Sequence, residues 1–312
     1  MILMHFLRTT APVVTIALAL SACTAEPEMP GPETPTVAVA FYALEYAAQQ
    51  ASGGMAEVVN LTTSGVDPHD AELSPQRMAT LGEADLVVHL GEFQPSVDQA
   101  LEQAGARNVL DVADVIPLRW TDEDDHHDDE DDHDGHDHGP HDPHFWTDPL
   151  LMAEVTTAIA EAMAEADPDN AEGYRESARD AAALYQDLDH DYATGLAECE
   201  RRAFIPQHAA FGYMAERYGL EQISVAGLSP DEEPSPARIA EIQAEATAHG
   251  VTTIFFEPGY PDAIARSIAD DLGLQTATLD TVEGLTPESA GEDYVGIMQA
   301  NLDALRKANG CT

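Results

Sequence analysis

Short strand-like runs alternate along the chain with helical patterns, and this alternation limits the possible folds more than any other feature. Before residue 120 the strand-like runs are TVAVAFYAL, AEVVNLTT, DLVVHLG and NVLDVA, and SPQRMATLGEA and PSVDQALEQAG have helical spacing. After residue 200 the runs RAFIPQ, QISVAG, TTIFFE and QTATLD repeat the pattern. Such alternation implies parallel strands joined by crossover helices. The sequence therefore predicts an α/β fold with two lobes of parallel sheet flanked by helices.

A proline-free segment rich in alanine, leucine and acidic residues lies between the two halves, from Asn170 to Cys199. As one helix it would span roughly 45 Å, more than the width of a small domain. We therefore predict a long helix that bridges the lobes. The predicted organisation is an N-terminal lobe over 36–168, a linking helix over 169–199 and a C-terminal lobe over 200–312.

The first residues have the layout of a bacterial secretory signal, because Arg8 precedes an apolar run that ends in small residues. The run Leu20-Ser21-Ala22-Cys23 matches a lipobox. We expect residues 1–22 to be a signal peptide and Cys23 to carry lipid, with the Pro- and Glu-rich residues 23–35 as a flexible tether. The protein would then lie outside the cytoplasm, anchored to the cell membrane as a lipoprotein. The alternative is a secreted protein with an unmodified Cys23.

Two further cysteines remain once Cys23 is assigned to lipid, Cys199 and Cys311. An even number of cysteines in an oxidising compartment favours pairing. We predict a disulfide between them, which would fix the C-terminus to the beginning of the second lobe.

The formal net charge of −45 excludes a general attraction for nucleic acid, since phosphate binding requires clustered Lys and Arg. Cation binding suits such a charge far better. An acidic surface can also reflect the protein's habitat, so the charge does not identify a ligand.

Residues 121–142 combine 12 carboxylates with six histidines and contain no apolar residue. This segment cannot join a core, and we predict a mobile loop. Imidazole and carboxylate groups bind Zn²⁺ and similar ions, so we expect weak, exchangeable metal sites here. The alternative is a solvated insertion without a role. The histidines concerned are His126, His127, His133, His136, His138 and His141.

Single histidines also stand where predicted strands end. His69 follows AEVVNLTT, His144 follows the acidic segment, His208 follows RAFIPQ, and Asp280 occupies the equivalent place after the last strand. The carboxyl ends of parallel strands open onto the crevice where α/β proteins bind ligands. Each residue alone has an ordinary explanation as a loop or capping residue. Together, three imidazoles and one carboxylate complete a tetrahedral site suited to Zn²⁺.

The sequence around these positions resembles the zinc-binding periplasmic proteins of ABC importers, the ZnuA-like members of the cluster A-I metal-binding lipoproteins. The motifs are DPHD at His69, the His-rich insertion followed by DPHFWTDP at His144, HAAFGY at His208 and LD at Asp280. The resemblance implies that the three histidines bind Zn(II), with Asp280, a glutamate or water as fourth ligand. A histidine at position 208 favours zinc over manganese.

The resemblance also implies a function without catalysis, in which the protein delivers zinc to an ABC permease and a monomer suffices. We expect the His-rich loop to capture the ion before it reaches the cleft. A metal-storage or adhesin-type surface lipoprotein is one alternative, and a zinc hydrolase is another, although the chain contains no HExxH or GxSxG motif.

Overall fold

The computed structural model describes residues 34–63, 66–120, 141–230 and 234–312. The predicted signal peptide, Cys23 and most of the tether lie outside the described residues. The same holds for five of the six loop histidines, namely His126, His127, His133, His136 and His138. Among the described residues, no helix is both long and apolar enough to cross a bilayer.

The N-terminal half forms a four-stranded parallel sheet with strand order β2-β1-β3-β4. Its strands are β1 (Thr36–Val39), β2 (Glu57–Asn60), β3 (Leu86–His89) and β4 (Val109–Asp111), and its helices are α1 (Tyr42–Ser52), α2 (Pro75–Glu83) and α3 (Pro95–Ala104). The helices α2 and α3 both begin with proline, whose fixed φ suits the first helical turn. Parallel strands joined by helices bring all the strand ends to one edge of the sheet.

A short antiparallel ribbon follows, in which β5 (Arg119–Trp120) pairs with β6 (His141–Asp142). The predicted acidic loop extended to residue 142, but His141 and Asp142 form the strand β6 of this ribbon.

Two long helices come next, α4 (Pro149–Ala166) and α5 (Ala171–Gly195). Asp148 caps α4, since its carboxylate accepts hydrogen bonds from the backbone N–H groups of Leu150 and Leu151. The ring of Tyr185 in α5 packs edge-on against Tyr46 of α1 and against Tyr294 of the C-terminal half. The long helix thus contacts elements from both halves.

The C-terminal half contains two parallel strand pairs, which a parallel bridge between Ile205 and Ile254 joins in the order β8-β7-β9-β10. The strands are β7 (Ala203–Phe204), β8 (Glu221–Gln222), β9 (Thr253–Phe256) and β10 (Gln275–Thr278), and the helices are α6 (Gly212–Tyr218), α7 (Pro236–His249), α8 (Ala263–Leu272) and α9 (Tyr294–Asn309). Ser235 caps α7 as its hydroxyl accepts from the N–H of Arg238.

The apolar interior consists of two clusters. The larger unites the N-terminal sheet with α1, α4, α5 and α9, and the smaller lies between the C-terminal sheet and α7 and α8. Cys199 and Cys311 form the predicted disulfide. Parallel sheets flanked by helices, with one long helix between them, confirm the predicted fold class. The lobe boundaries at 168 and 199 stay predictions.

Candidate metal centre

Four side chains from both halves of the chain converge on one point: His69, His144, His208 and Glu283. Each contributes one nitrogen or oxygen, and these four atoms all lie within 4.8 Å of one another. His144, His208 and Glu283 are buried, whereas His69 is partly exposed. Among the described residues this is the one group of three or more His, Cys, Asp or Glu side chains spaced so closely.

The spacing of the four atoms matches a tetrahedral zinc ion. Nε2 of His144 lies 3.3 Å from Nε2 of His69 and 3.4 Å from Nε2 of His208. Oε1 of Glu283 lies 3.5, 3.1 and 3.2 Å from Nε2 of His69, His144 and His208 respectively. Zinc bonds of about 2.0–2.1 Å require ligand atoms about 3.3–3.4 Å apart in a tetrahedron. The cluster therefore fits Zn²⁺ with little rearrangement.

Loops at the strand ends deliver the ligands. His69 lies between β2 and α2, His208 lies between β7 and α6, and Glu283 follows β10. His144 immediately precedes a 3-10 turn, Phe145–Thr147, after the ribbon strand β6. Both sheets thus contribute side chains at their carboxyl ends, as expected for a ligand crevice.

A strained turn aims Glu283 at the histidines. The buried residue Val282 has φ +61°, a region that a β-branched side chain rarely adopts. Oδ1 of Asp280 accepts a hydrogen bond of 2.9 Å from the N–H of Val282 and holds the turn. Asn301 in α9 fixes the backbone of Asp280 through two hydrogen bonds of 2.9 and 2.7 Å.

Carboxylates hold two of the imidazole rings in place. Oδ1 of Asp142 lies 2.8 Å from Nδ1 of His144, and Oε1 of Glu257 lies 2.7 Å from Nδ1 of His208. The same two oxygens also accept from the backbone N–H groups of His144 and His208. Hydrogen bonds to Nδ1 leave both Nε2 atoms facing the cluster and increase their basicity.

The acidic surroundings shift the ionisation of the cluster. Burial lowers the pKa of His208, but Glu257 and Glu283 outweigh burial and raise it well above its ordinary value. The pKa of His144 is raised in the same way, with burial opposed by Asp142 and Glu283. Burial raises the pKa of Glu283, but the three histidines lower this pKa by more than burial raises it. The resulting pKa lies well below the ordinary value of a glutamate. These shifts all favour the charged forms of the cluster, protonated imidazole beside an ionised carboxylate.

Aromatic side chains limit the mobility of the ligands. Phe93 contacts the ring of His69 edge-on, with ring centroids 4.8 Å apart, and Trp146 contacts the ring of His144 at 5.2 Å. Trp146 is fully buried. Its indole N–H donates a hydrogen bond of 2.7 Å to the carbonyl of Thr281, close to Glu283 in the chain.

The structure brings together the three histidines that the sequence predicts, His69, His144 and His208, but the fourth member differs. Asp280 lies outside the group, and its Oδ1 accepts the hydrogen bond from the N–H of Val282. Glu283 takes the fourth position. The structure thus groups a glutamate, one of the alternatives that the sequence left open, with the three histidines in place of Asp280, and the identity of the fourth ligand stays a prediction.

His141, the last histidine of the acidic segment, lies in β6. Its ring packs against Trp120, with centroids 3.8 Å apart, and it is not part of the four-residue cluster. It lines a cavity of about 200 Å³ that His69 also lines. Whether it binds metal stays a prediction.

Two parallel sheets with a buried cluster of three histidines and one glutamate define a metal-binding protein of α/β fold. Residues 37–308 match the family described as "Zinc-uptake complex component A periplasmic". The chain therefore belongs to this family, a family of solute-binding proteins for zinc uptake, and the resemblance inferred from the sequence is confirmed.

Individual relatives agree with this assignment. The chain is 38% identical over 276 residues to the high-affinity zinc uptake system protein ZnuA of Bacillus subtilis, covering 86% of each. It is 32% identical over 299 residues to the zinc-binding lipoprotein AdcA of Streptococcus pneumoniae, covering 93% of this chain and 58% of AdcA. The crystal structure of the Zn(II)-bound ZnuA-like domain of AdcA matches with a TM-score of 0.73 at 29% identity, covering 88% of this chain and 99% of that domain.

Proposed function

We propose that this protein binds one Zn²⁺ ion outside the cytoplasm through His69, His144, His208 and Glu283, and delivers it to an ABC import permease. The observation that carries the proposal is the spacing of 3.1–3.5 Å between Oε1 of Glu283 and the three imidazole nitrogens. Membership of the zinc-uptake family supports zinc as the cargo. So does the ligand set, since imidazole suits zinc better than Mg²⁺, Ca²⁺ or Mn²⁺.

The closed ligand set argues against a hydrolase. Catalytic zinc sites keep three protein ligands and leave a fourth position to water or substrate. Here a protein carboxylate occupies the fourth position, so we propose that the protein is a carrier and not an enzyme. All four proposed ligands come from one chain, so the site needs no second subunit, and we propose a monomer.

The proposal also includes anchoring of the protein to the membrane and capture of zinc by the His-rich segment. Lipid on Cys23 would keep the carrier near its permease. The acidic, His-rich residues 121–140 would raise the local Zn²⁺ concentration, and the ribbon of β5 and β6 connects that segment directly to His144.

Competitive titration with a chromophoric zinc chelator tests the proposal. Mature protein should bind one Zn²⁺ tightly, and His208→Ala should abolish tight binding, whereas His249→Ala, at an exposed histidine of α7, should not. Glu283→Gln should weaken binding far more than Glu288→Gln in the same loop. Tight binding that survives His208→Ala would refute the site.

A deletion of residues 121–140 separates the loop from the cleft. We expect the tight site to remain and loading at scarce zinc to slow down. Loss of the tight site on deletion would contradict this division of roles.

A further inference from the structure

A second acidic feature lies beside the proposed zinc site: a cavity of about 250 Å³ between the His69 loop, the residues after β9 and the turn after β10. Three carboxylates line it, those of Asp67, Asp280 and Glu283. No Lys or Arg is among the described residues that line the cavity. At its rim, Val66 is 43% exposed and Gly259 is exposed, so the cavity reaches the surface.

Two of these carboxylates are buried, and each has one oxygen that accepts no hydrogen bond from the described residues. Asp280 is 4% exposed and Glu283 is 5% exposed, and both line the cavity. Among the residues that the structure describes, Oδ2 of Asp280 and Oε2 of Glu283 find no hydrogen-bond partner. A buried carboxylate oxygen without a partner is costly, and such an oxygen in a native protein calls for water or an ion.

The cavity is unsuited to direct chelation of a second ion. Within the described ranges, no three carboxylates or imidazoles other than the zinc cluster bring their ligand atoms within 4.8 Å. A hydrated cation meets different requirements, because its water molecules donate hydrogen bonds to carboxylates that are too far apart to bind the ion itself. Six waters at about 30 Å³ each occupy about 180 Å³, which the cavity can hold.

Glu283 connects the cavity to the zinc cluster. Its Oε1 contacts the three histidines, while the same side chain lines the cavity. We propose that the cavity is an outer-sphere binding site, here called the access site, for the hydrated zinc ion. This proposal rests on the proposed zinc site. The ion occupies the access site first, then sheds water and passes Glu283 to reach the histidines. Asp280, which the cluster leaves out, belongs to this access site together with Asp67.

Charge removal with little change of shape tests the proposal. In Asp67→Asn/Asp280→Asn the amide oxygen can still accept the hydrogen bonds that Oδ1 now accepts from the N–H groups of His69 and Val282. The matched control is Asp180→Asn/Asp187→Asn, which removes the same charge from exposed positions of α5. Stopped-flow association of Zn²⁺ at 0.15 M salt should be roughly ten-fold slower in the first variant than in the control, as the local field is lost. Equal association rates would overturn the proposal.

An inert probe tests the same site without mutation. Hexaamminecobalt(III) is close in size to a hexahydrated metal ion and carries one more positive charge than hydrated Zn²⁺, but it cannot exchange its ligands for histidine. It should slow Zn²⁺ association to the wild-type protein saturably, beyond the effect of NaCl at equal ionic strength. Absence of such slowing would refute the access site even if the double variant failed to fold. Chelator titration separates the two ways in which the proposals can fail. If only the access site is wrong, the single tight zinc site is still found. If the proposed function is wrong, that tight site is absent.

Discussion

The indole N–H of Trp146 donates a hydrogen bond of 2.7 Å to the backbone carbonyl of Thr281, joining the segment of His144 to the turn of Glu283. A second bond strengthens this connection, since the hydroxyl of Tyr294 donates to the carbonyl of Trp146 at 2.7 Å. Both tryptophan contacts are buried and cross from one half of the chain to the other. The relative position of two proposed ligands thus depends on one side chain that binds no metal.

Trp146→Phe should loosen the site. The substitution leaves the buried carbonyl of Thr281 without its donor, which costs about 1–3 kcal/mol. We expect faster Zn²⁺ dissociation into excess chelator and a lower melting temperature. Tyr174→Phe is the control, because it also removes a hydrogen bond of a buried aromatic residue, to Asp167 at the end of α4. If zinc dissociates equally fast from both variants, the connection through Trp146 does not position the ligands.

The carboxylates behind the imidazoles should tune affinity without binding the ion. In Glu257→Gln the charge that supports Nδ1 of His208 disappears, and we expect zinc affinity to fall about 10- to 100-fold. Asp142→Asn should act likewise through His144. Glu161→Gln, at an exposed ion pair with Arg175, is the matched control. Isothermal titration at pH 7 measures the effect, and an unchanged affinity in both variants would contradict the role assigned to these carboxylates.

The disulfide should stabilise the fold but leave zinc binding unaffected. It closes a loop with a sequence separation of 112, for which chain entropy predicts up to about 4–5 kcal/mol. Backbone hydrogen bonds from Glu200 and Arg201 to Gly310 and Asn309 hold the same ends together without it. We therefore expect Cys199→Ser/Cys311→Ser to lose about 2–3 kcal/mol in urea unfolding and to keep its zinc affinity. A matching loss of affinity would show that the C-terminus supports the site.

Most of the fold and three of the four cluster members could be predicted from the sequence for a physical reason. Strand and helix periodicities are local, and parallel connectivity then forces the strand ends to one edge. His69 and His208 follow parallel strands, so this rule places each at the carboxyl end of its own sheet. His144 follows the antiparallel ribbon strand β6, and its convergence with the other two histidines depends on packing between the halves that the rule does not supply.

Glu283 escaped prediction because its position depends on a conformation that residue type does not indicate. A valine at φ +61° is uncommon, and the hydrogen bond from its N–H to Asp280 and the burial of its side chain hold it there. The sequence places Asp280 nearest the strand end and Glu283 three residues later. The sequence offers one signal for Glu283, a second carboxylate three residues after Asp280, and our prediction of the site did not use it.

Zinc binding should release protons at neutral pH and should weaken as pH falls. In the metal-free cluster the pKa values of His144 and His208 are raised, so these residues hold protons to higher pH than free histidine. Zinc displaces those protons, because imidazole must be neutral to bind. Affinity should therefore begin to decline above the ordinary histidine pKa of about 6.5, and not only below it. Titrations in buffers of different ionisation enthalpy count the protons released.

The two buried histidines should make the stability of the metal-free protein depend on pH in the opposite direction. A raised histidine pKa stabilises the fold fully below about pH 6.5, and this contribution is lost as pH rises through the folded pKa. The lowered pKa of Glu283 stabilises the fold at pH values above the ordinary pKa of glutamate. This contribution is lost as pH falls through the pKa of Glu283 in the folded protein. The gain in melting temperature on adding zinc should thus increase from pH 5.5 to pH 8, and Glu283→Gln should flatten that increase. A zinc-induced gain independent of pH would mean that the cluster holds no displaceable proton.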